Sequence, residues 1–286
     1  MPTAYETASQ RLNAGGVLLL DGGVSTELQR RGVPMADDLW SGRAALDYFE
    51  AVVDMHCAYI DAGADVITAN TYASSRLMLE PLGISHSVSE LNRRSVEAAL
   101  MARDRSGARN VLVAGSLSHA TPRQIRGASE VVSDEPGNKE LFIAFQEMAS
   151  ILSRNDVDVL LLEMMSKPNR MTQMFDALSQ STLPVWCGLS AKRNVAGDLI
   201  AAHDTDVAFH DNVVLAAKQN FDAWGIMHTS AELIGEALVS LRCYGRRPLM
   251  VYPDSGYMAM PNWQFVDDMT PETFAQFAEQ WEASGA

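Results

Sequence analysis

"LLLDGGVSTELQRRG", residues 18–32, is an apolar run that ends on a carboxylate and two glycines before a helix begins. A buried strand that stops on Asp21 and then drops two side chains has two readings. One is a tight turn with a capping aspartate. The other is a binding loop: Gly22 and Gly23 bare backbone N–H groups that hold a carboxylate, and Asp21 takes an ammonium. The choice rests on whether the same arrangement recurs along the chain.

It does recur. Apolar runs at 17–21, 65–70, 111–116, 157–163, 184–190, 223–228 and 248–253 predict seven strands. They are continuous rather than alternating, as in strands buried on both faces of a parallel sheet. Amphipathic segments lie between them. In 45–65, Phe49, Val52, Val53, Cys57 and Ile60 follow helical spacing, and Gly63 supplies the residue that ends the helix. Residues 87–107 and 138–156 repeat the pattern, the latter after a polar loop at 128–138. A last helix opens on Thr270 and Pro271.

Strand–helix alternation in one direction means parallel strands joined by crossovers. No GxGxxG follows the first strand and no GxxxxGK[ST] occurs, so a dinucleotide fold and a P-loop are excluded. Polar residues gather after the strands, at Asp21, Asn70, Ser116, Glu163, His228 and Asp254, where a barrel builds its active site. The prediction is an α/β fold, a (β/α)8 TIM-type barrel, as one domain over residues 1–286. Its eighth strand is expected to be absent from the chain. An open barrel exposes sheet edges, so a homo-oligomer or a partner chain is expected to cover the gap.

Bulk composition narrows the partners. Lys and Arg number 22 and Asp and Glu 36, a net charge of −14, which argues against nucleic acid or an anionic membrane. Three widely spaced cysteines suggest no disulfide framework, and the N-terminus lacks the apolar core of a signal peptide. The expectation is a cytoplasmic protein acting on small molecules. Glu163 leaves an apolar run and must find a donor or a cation. His228, at the end of "WGIMH", is either a hydrogen-bonded structural residue or a ligand at the rim. Tyr72 would wall a small ligand at the barrel mouth.

"LLLDGGVSTELQRRG", "DAGADVITANTYASS", "VAGSLS", "LLLEMMS", "WGIMHTS" and "LMVYPDSG" together resemble, in order and spacing, the homocysteine S-methyltransferase family. The resemblance runs from about residue 17 to 286. It implies methyl transfer from a sulfonium, betaine or folate-type donor to a thiol such as homocysteine, with zinc converting the thiol to a thiolate. It implies that Asp21, Gly22 and Gly23 line the amino-acid pocket, that Glu163 binds the substrate ammonium, and that Asn70 and Tyr72 line the mouth. Asp254 stands where the family has asparagine.

The family holds zinc with three cysteines, and here the first is His228 while Cys57, Cys187 and Cys243 match no ligand position. The cofactor expectation is therefore zinc with an incomplete set, His228 being the one matched position, or no metal at all. Without zinc, His228 is the expected catalytic base. The alternative is a catalytically silent member that binds a small amino acid or serves as a subunit of a methyltransferase complex.

Overall fold

The computed structural model describes residues 2–36, 39–121, 135–259, 262–265 and 269–286. Its strands, in chain order, are β1 (Val66–Ala69), β2 (Leu112–Ser118), β3 (Val159–Met165), β4 (Val185–Leu189), β5 (Ala191–Arg193), β6 (Leu199–Ala201), β7 (Asp204–Ala208), β8 (Ala223–Ser230), β9 (Leu249–Asp254), β10 (Gly256–Ala259) and β11 (Asn262–Phe265). Six of them form one parallel sheet in the order β1-β2-β3-β4-β8-β9. The segment 17–21 lies alongside β1. Leu20 bridges Val66, and Asp21 N–H donates to the Val66 carbonyl at 2.9 Å. All seven predicted strand positions are thus occupied in the predicted order, as a curled half-barrel.

Period-two alternation sorts the strand side chains. Leu18, Leu20, Val66, Leu112, Leu161, Met227 and Met250 meet in one inner cluster. The other face packs under helices: α6 (Val88–Arg105), α7 (Asn138–Arg154), α8 (Pro168–Leu178), α9 (Phe209–Ala217) and α10 (Ala231–Arg242) supply Leu91, Phe145, Met171, Val213 and Leu238 to the larger core. Burial on both faces explains why these strands read as unbroken apolar runs. α1 (Ala4–Asn13) packs against the inner cluster, with Ala8 buried and Tyr5 6.4 Å from Trp186.

The remaining helices are α2 (Val24–Arg30), α3 (Ala44–Asp47), α4 (Phe49–Asp61), α5 (Arg76–Leu79) and α11 (Pro271–Ala283). The helix predicted in 45–65 breaks at Tyr48 (φ −139°, ψ 45°), and Gly63 ends it at φ 104°. Thr270 caps α11, its hydroxyl accepting from Thr273 N–H at 3.2 Å. Residues 128–134 of the predicted polar loop lie outside the described residues.

Two features were not anticipated. β5, β6 and β7 form a small antiparallel sheet between β4 and α9. Its first two strands have three residues each, too short for periodicity to register, although the Asn194–Gly197 turn (Gly197 at φ 94°) is a sequence-visible signal. The β10–β11 hairpin follows β9 and reaches α2, where Gln29 and Trp263 exchange two hydrogen bonds at 2.8 and 3.0 Å. Among the described residues no eighth strand pairs between β9 and the segment 17–21, and this hairpin ties the two sides together. Leu19, on the outer side of that segment, remains 54% exposed. No described helix is long and apolar enough to cross a membrane.

Candidate active site

A cavity of about 280 Å³ opens where the parallel strands end at their C-termini. Its walls include Ser25, Trp40, Thr68, Asn70, Tyr72, His119, Glu163, Met164, His203, His228, Tyr252, Asp254 and Trp263. Six predicted site residues, Gly23, Asn70, Tyr72, Glu163, His228 and Asp254, line it. Three others do not: Asp21, Gly22 and Ser116 lie outside its lining.

The centre of the site is a clamped histidine. His228 Nε2 lies 3.2 Å from Glu163 Oε2, and His228 Nδ1 lies 3.2 Å from Asp254 Oδ1. Burial pushes the imidazole pKa down, but hydrogen bonds and charges from Asp254 and Glu163 outweigh it and raise the value to about 10. The raised value favours the imidazolium form, which donates through both nitrogens. The expectation of His228 as a catalytic base thus meets a ring whose proton affinity is raised and whose two nitrogens both face carboxylates. Glu163 Oε1 and Asp254 Oδ2 keep no partner among the described residues.

Backbone irregularity brings His228 to this position. Met227 faces the inner cluster, so strict alternation would turn residue 228 outward. The β8–β9 register shifts between Met227 and Ser230, and His228 sits at φ 47°. A bulge of this kind re-aims a side chain next to an active site. Met164 is turned into the cavity the same way, at φ 63° within a β3–β4 register shift. Trp40, a third wall residue, has φ 54°. Each such residue stores about 1–3 kcal/mol of strain.

Aromatic rings complete the walls. Tyr72 and Tyr252 flank the imidazolium with centroids 6.3 and 5.6 Å away, and Trp40 stacks on Trp263 at 6.5 Å. Tyr72 Oη–H donates to Met164 Sδ at 3.0 Å, and burial raises both tyrosine pKa values. Asn70 is anchored through Ser41, donating to its carbonyl at 2.9 Å. The Ser25 and Ser41 hydroxyls share a hydrogen bond.

Asp21 works behind the wall. Its oxygens accept from Thr68 N–H at 2.6 Å and Thr68 Oγ1–H at 2.9 Å, and it is 5% exposed. Asp21 therefore fixes the Thr68 wall rather than facing a substrate ammonium. The two glycines are explained by close approach. A Cβ on Gly22 would lie 2.8 Å from the Tyr59 hydroxyl, and one on Gly23 would lie 2.3 Å from Thr26 Oγ1.

Burial raises the Asp21 pKa to about 7 from 3.8, against the lowering effect of the Thr68 bonds. The folded state then binds more protons than the unfolded one between about 4 and 7, so stability falls as pH rises through that window. Asp21→Asn is expected to flatten this dependence and to be at least about 1 kcal/mol more stable than wild type at pH 8. Urea midpoints at pH 4.5 and pH 8 for both proteins check it; parallel curves would remove Asp21 as the cause.

The described residues do not supply the zinc set that the resemblance implies. Both His228 nitrogens are committed to carboxylates. Cys187 is buried in β4 with its thiol pKa raised, Cys57 Sγ contacts the Ala102 carbonyl at 3.8 Å, and Cys243 follows α10 on the surface. Among the described residues no three His, Cys, Asp or Glu side chains converge in a way that would hold a metal ion.

Several cavity residues are not marked by the sequence reading, among them Thr68, Met164, Tyr252 and Trp263 as well as His119, Trp40 and His203. His119 directly follows β2, a strand-end position that the barrel rule marks; Trp40 and His203 lie in segments with no strand-end signal.

A curled parallel sheet with a polar, aromatic-walled cavity at its C-terminal rim defines a barrel-type enzyme that takes small molecules. The chain belongs to the homocysteine S-methyltransferase family, whose model matches residues 18–286. Homocysteine S-methyltransferase 3 of Arabidopsis thaliana is 26% identical over an alignment covering 95% of this chain and 84% of the relative. Selenocysteine methyltransferase of Astragalus bisulcatus is 28% identical, covering 96% and 87%. Among solved structures, the metallated form of the homocysteine methyltransferase MmuM from Escherichia coli superposes with a TM-score of 0.75 at 25% identity, covering 94% of this chain and 89% of that one. The family resemblance and the barrel-type fold read from the sequence are both borne out.

Proposed function

We propose that this protein transfers a methyl group from a compact onium donor to the sulfur or selenium of a small amino acid, and that it does so without a resident zinc ion. The Glu163–His228–Asp254 clamp carries the reading. With both carboxylates ionised and the imidazole protonated, the cluster has a net charge of −1. Glu163 Oε1 and Asp254 Oδ2, without a partner among the described residues, offer a place for the ammonium of the acceptor or for the positive centre of the donor. Tyr72, Tyr252, Trp40 and Trp263 around it suit an onium cation, which aromatic faces attract; a folate donor, anionic and large, is disfavoured.

Chemistry then needs positioning more than activation. A thiol is already a few per cent thiolate at pH 7 and is intrinsically nucleophilic. The thiolate attacks the donor methyl in line: the new S–C bond forms while the donor heteroatom–carbon bond breaks with its electron pair going to the donor. A neutral donor product leaves, and the acceptor's proton goes to solvent. His228 keeps Glu163 and Asp254 at fixed separation, so that the cationic groups are held in line and the thiolate is drawn from its equilibrium with the thiol. Three free cysteines suit a reducing, cytoplasmic setting.

The test is methyl transfer to homocysteine or selenocysteine from S-methylmethionine or trimethylglycine, read by mass spectrometry alongside metal analysis of the purified protein. Turnover is expected to continue in excess chelator with no stoichiometric zinc. Activity lost on chelation and restored by zinc would overturn the metal-free reading. Acceptor binding without turnover would make the chain a silent amino-acid binder, the reading favoured by the unmatched cysteines.

A further inference from the structure

The cavity has a second pole, away from the clamp and built largely from elements outside the regular βα units. His203 sits in the turn between β6 and β7 and lines the same cavity. Its Nδ1 lies 2.9 Å from Ser166 Oγ. Ser166 is fully buried and held from two further sides: its N–H donates to His119 Nε2 at 3.0 Å, and its carbonyl accepts from Asn212 Nδ2 at 3.1 Å. His119 is in turn fixed by Arg170, whose Nη1 donates to the His119 carbonyl at 2.7 Å. A turn residue is thus oriented by a buried network spanning β2, β3 and the α8 and α9 helices.

Two observations say what this pole would bind. His203 Nε2 has no partner among the described residues. After burial, the strongest influences on the ring are the positive charges of Lys192, Lys167, His228 and Arg170, which together keep it neutral, with a pKa pushed down to about 4. A neutral imidazole whose Nδ1 accepts from Ser166 carries its proton on Nε2, a hydrogen-bond donor for an anion, and the cavity already has carboxylates at its other pole for a cation.

We propose that His203 is the carboxylate-recognition residue of this cavity. Ser166 Oγ–H donates to Nδ1, and the Nε2–H donates to the carboxylate of a compact zwitterion whose cationic centre lies against Glu163 and Asp254. This rests on the onium-and-amino-acid reading of the site and adds to it a second recognition point. The carboxylate belongs either to an onium-acid methyl donor or to the amino-acid acceptor, and the same experiment distinguishes the two.

Calorimetry with two matched pairs of probes tests it. One pair is trimethylglycine and tetramethylammonium; the other is homocysteine and 3-aminopropane-1-thiol, which lacks the carboxylate. His203→Ala is expected to weaken a carboxylate-bearing probe by about tenfold or more, with its carboxylate-free partner unchanged, and His203→Gln, which keeps an N–H, to recover most of the loss. The pair that responds identifies the source of the carboxylate. Equal loss within both pairs would show a merely structural role and overturn the proposal, as would no loss in either. If wild type binds none of the four probes, the proposed function falls and this inference falls with it; if wild type binds and His203→Ala is silent, only the inference falls.

Discussion

Glu163→Gln is expected to lower kcat/KM for methyl transfer by about 10²- to 10³-fold, the range seen when one preorganised electrostatic partner is removed from a closed site. The amide keeps the shape of the side chain and loses its charge. It removes half of the cation pole and one of the two carboxylates that hold His228 as an imidazolium. The His228 pKa is therefore expected to fall from about 10 toward its ordinary 6.5. Steady-state kinetics and an NMR titration of the His228 ring check both halves. A variant within about threefold of wild type would remove Glu163 from the machinery. A kinetic loss with an unmoved His228 titration would show that Glu163 acts on the substrate alone.

Removing the cation itself has a larger effect on stability. His228→Ala leaves two carboxylates converging on an emptied position, each having lost its hydrogen-bond donor. Breaking a fully buried pair by deleting one partner costs about 3–5 kcal/mol, and the 22% and 29% exposure of the His228 and Asp254 side chains brings the expected cost to the lower end of that range. For a chain of this size that is a fall in Tm of roughly 6–12 °C at pH 7. The sign of the pH dependence follows from the raised pKa. The stabilisation from His228 is fully present below the unfolded value of about 6.5 and is lost as pH rises through about 10. The gap between wild type and variant should accordingly close between pH 7 and pH 10 in thermal melts. A gap that stays constant across that range would mean that the imidazolium is not what stabilises the clamp.

Much of this protein is legible in its amino-acid sequence. The seven strands announced themselves because both faces of a parallel sheet are apolar, so runs such as 157–163 need no alternation to stand out. Asn70, Glu163 and Asp254 were found because a polar residue at the end of such a run has to face the rim. Tyr72 followed from the same position. Asp21 obeys the same rule and yet lies behind the wall. Thr68, two residues before Asn70 on the neighbouring strand, supplies both its donors, and no local pattern encodes that cross-strand bond.

Local patterning carries the class of architecture, the order of the strands, the family and the rim position of most polar groups. These depend on hydrophobic patterning and on turn chemistry, which are local. Only the tertiary structure decided the state of His228. Alternation from Met227 points that residue away from the cavity, and a bulge at φ 47° returns it between two carboxylates from strands 65 and 26 residues distant in the chain. Proton affinity is set by such neighbours and by burial. A histidine that the sequence offers as a base or a metal ligand is, in the fold, drawn toward its protonated form by two carboxylates.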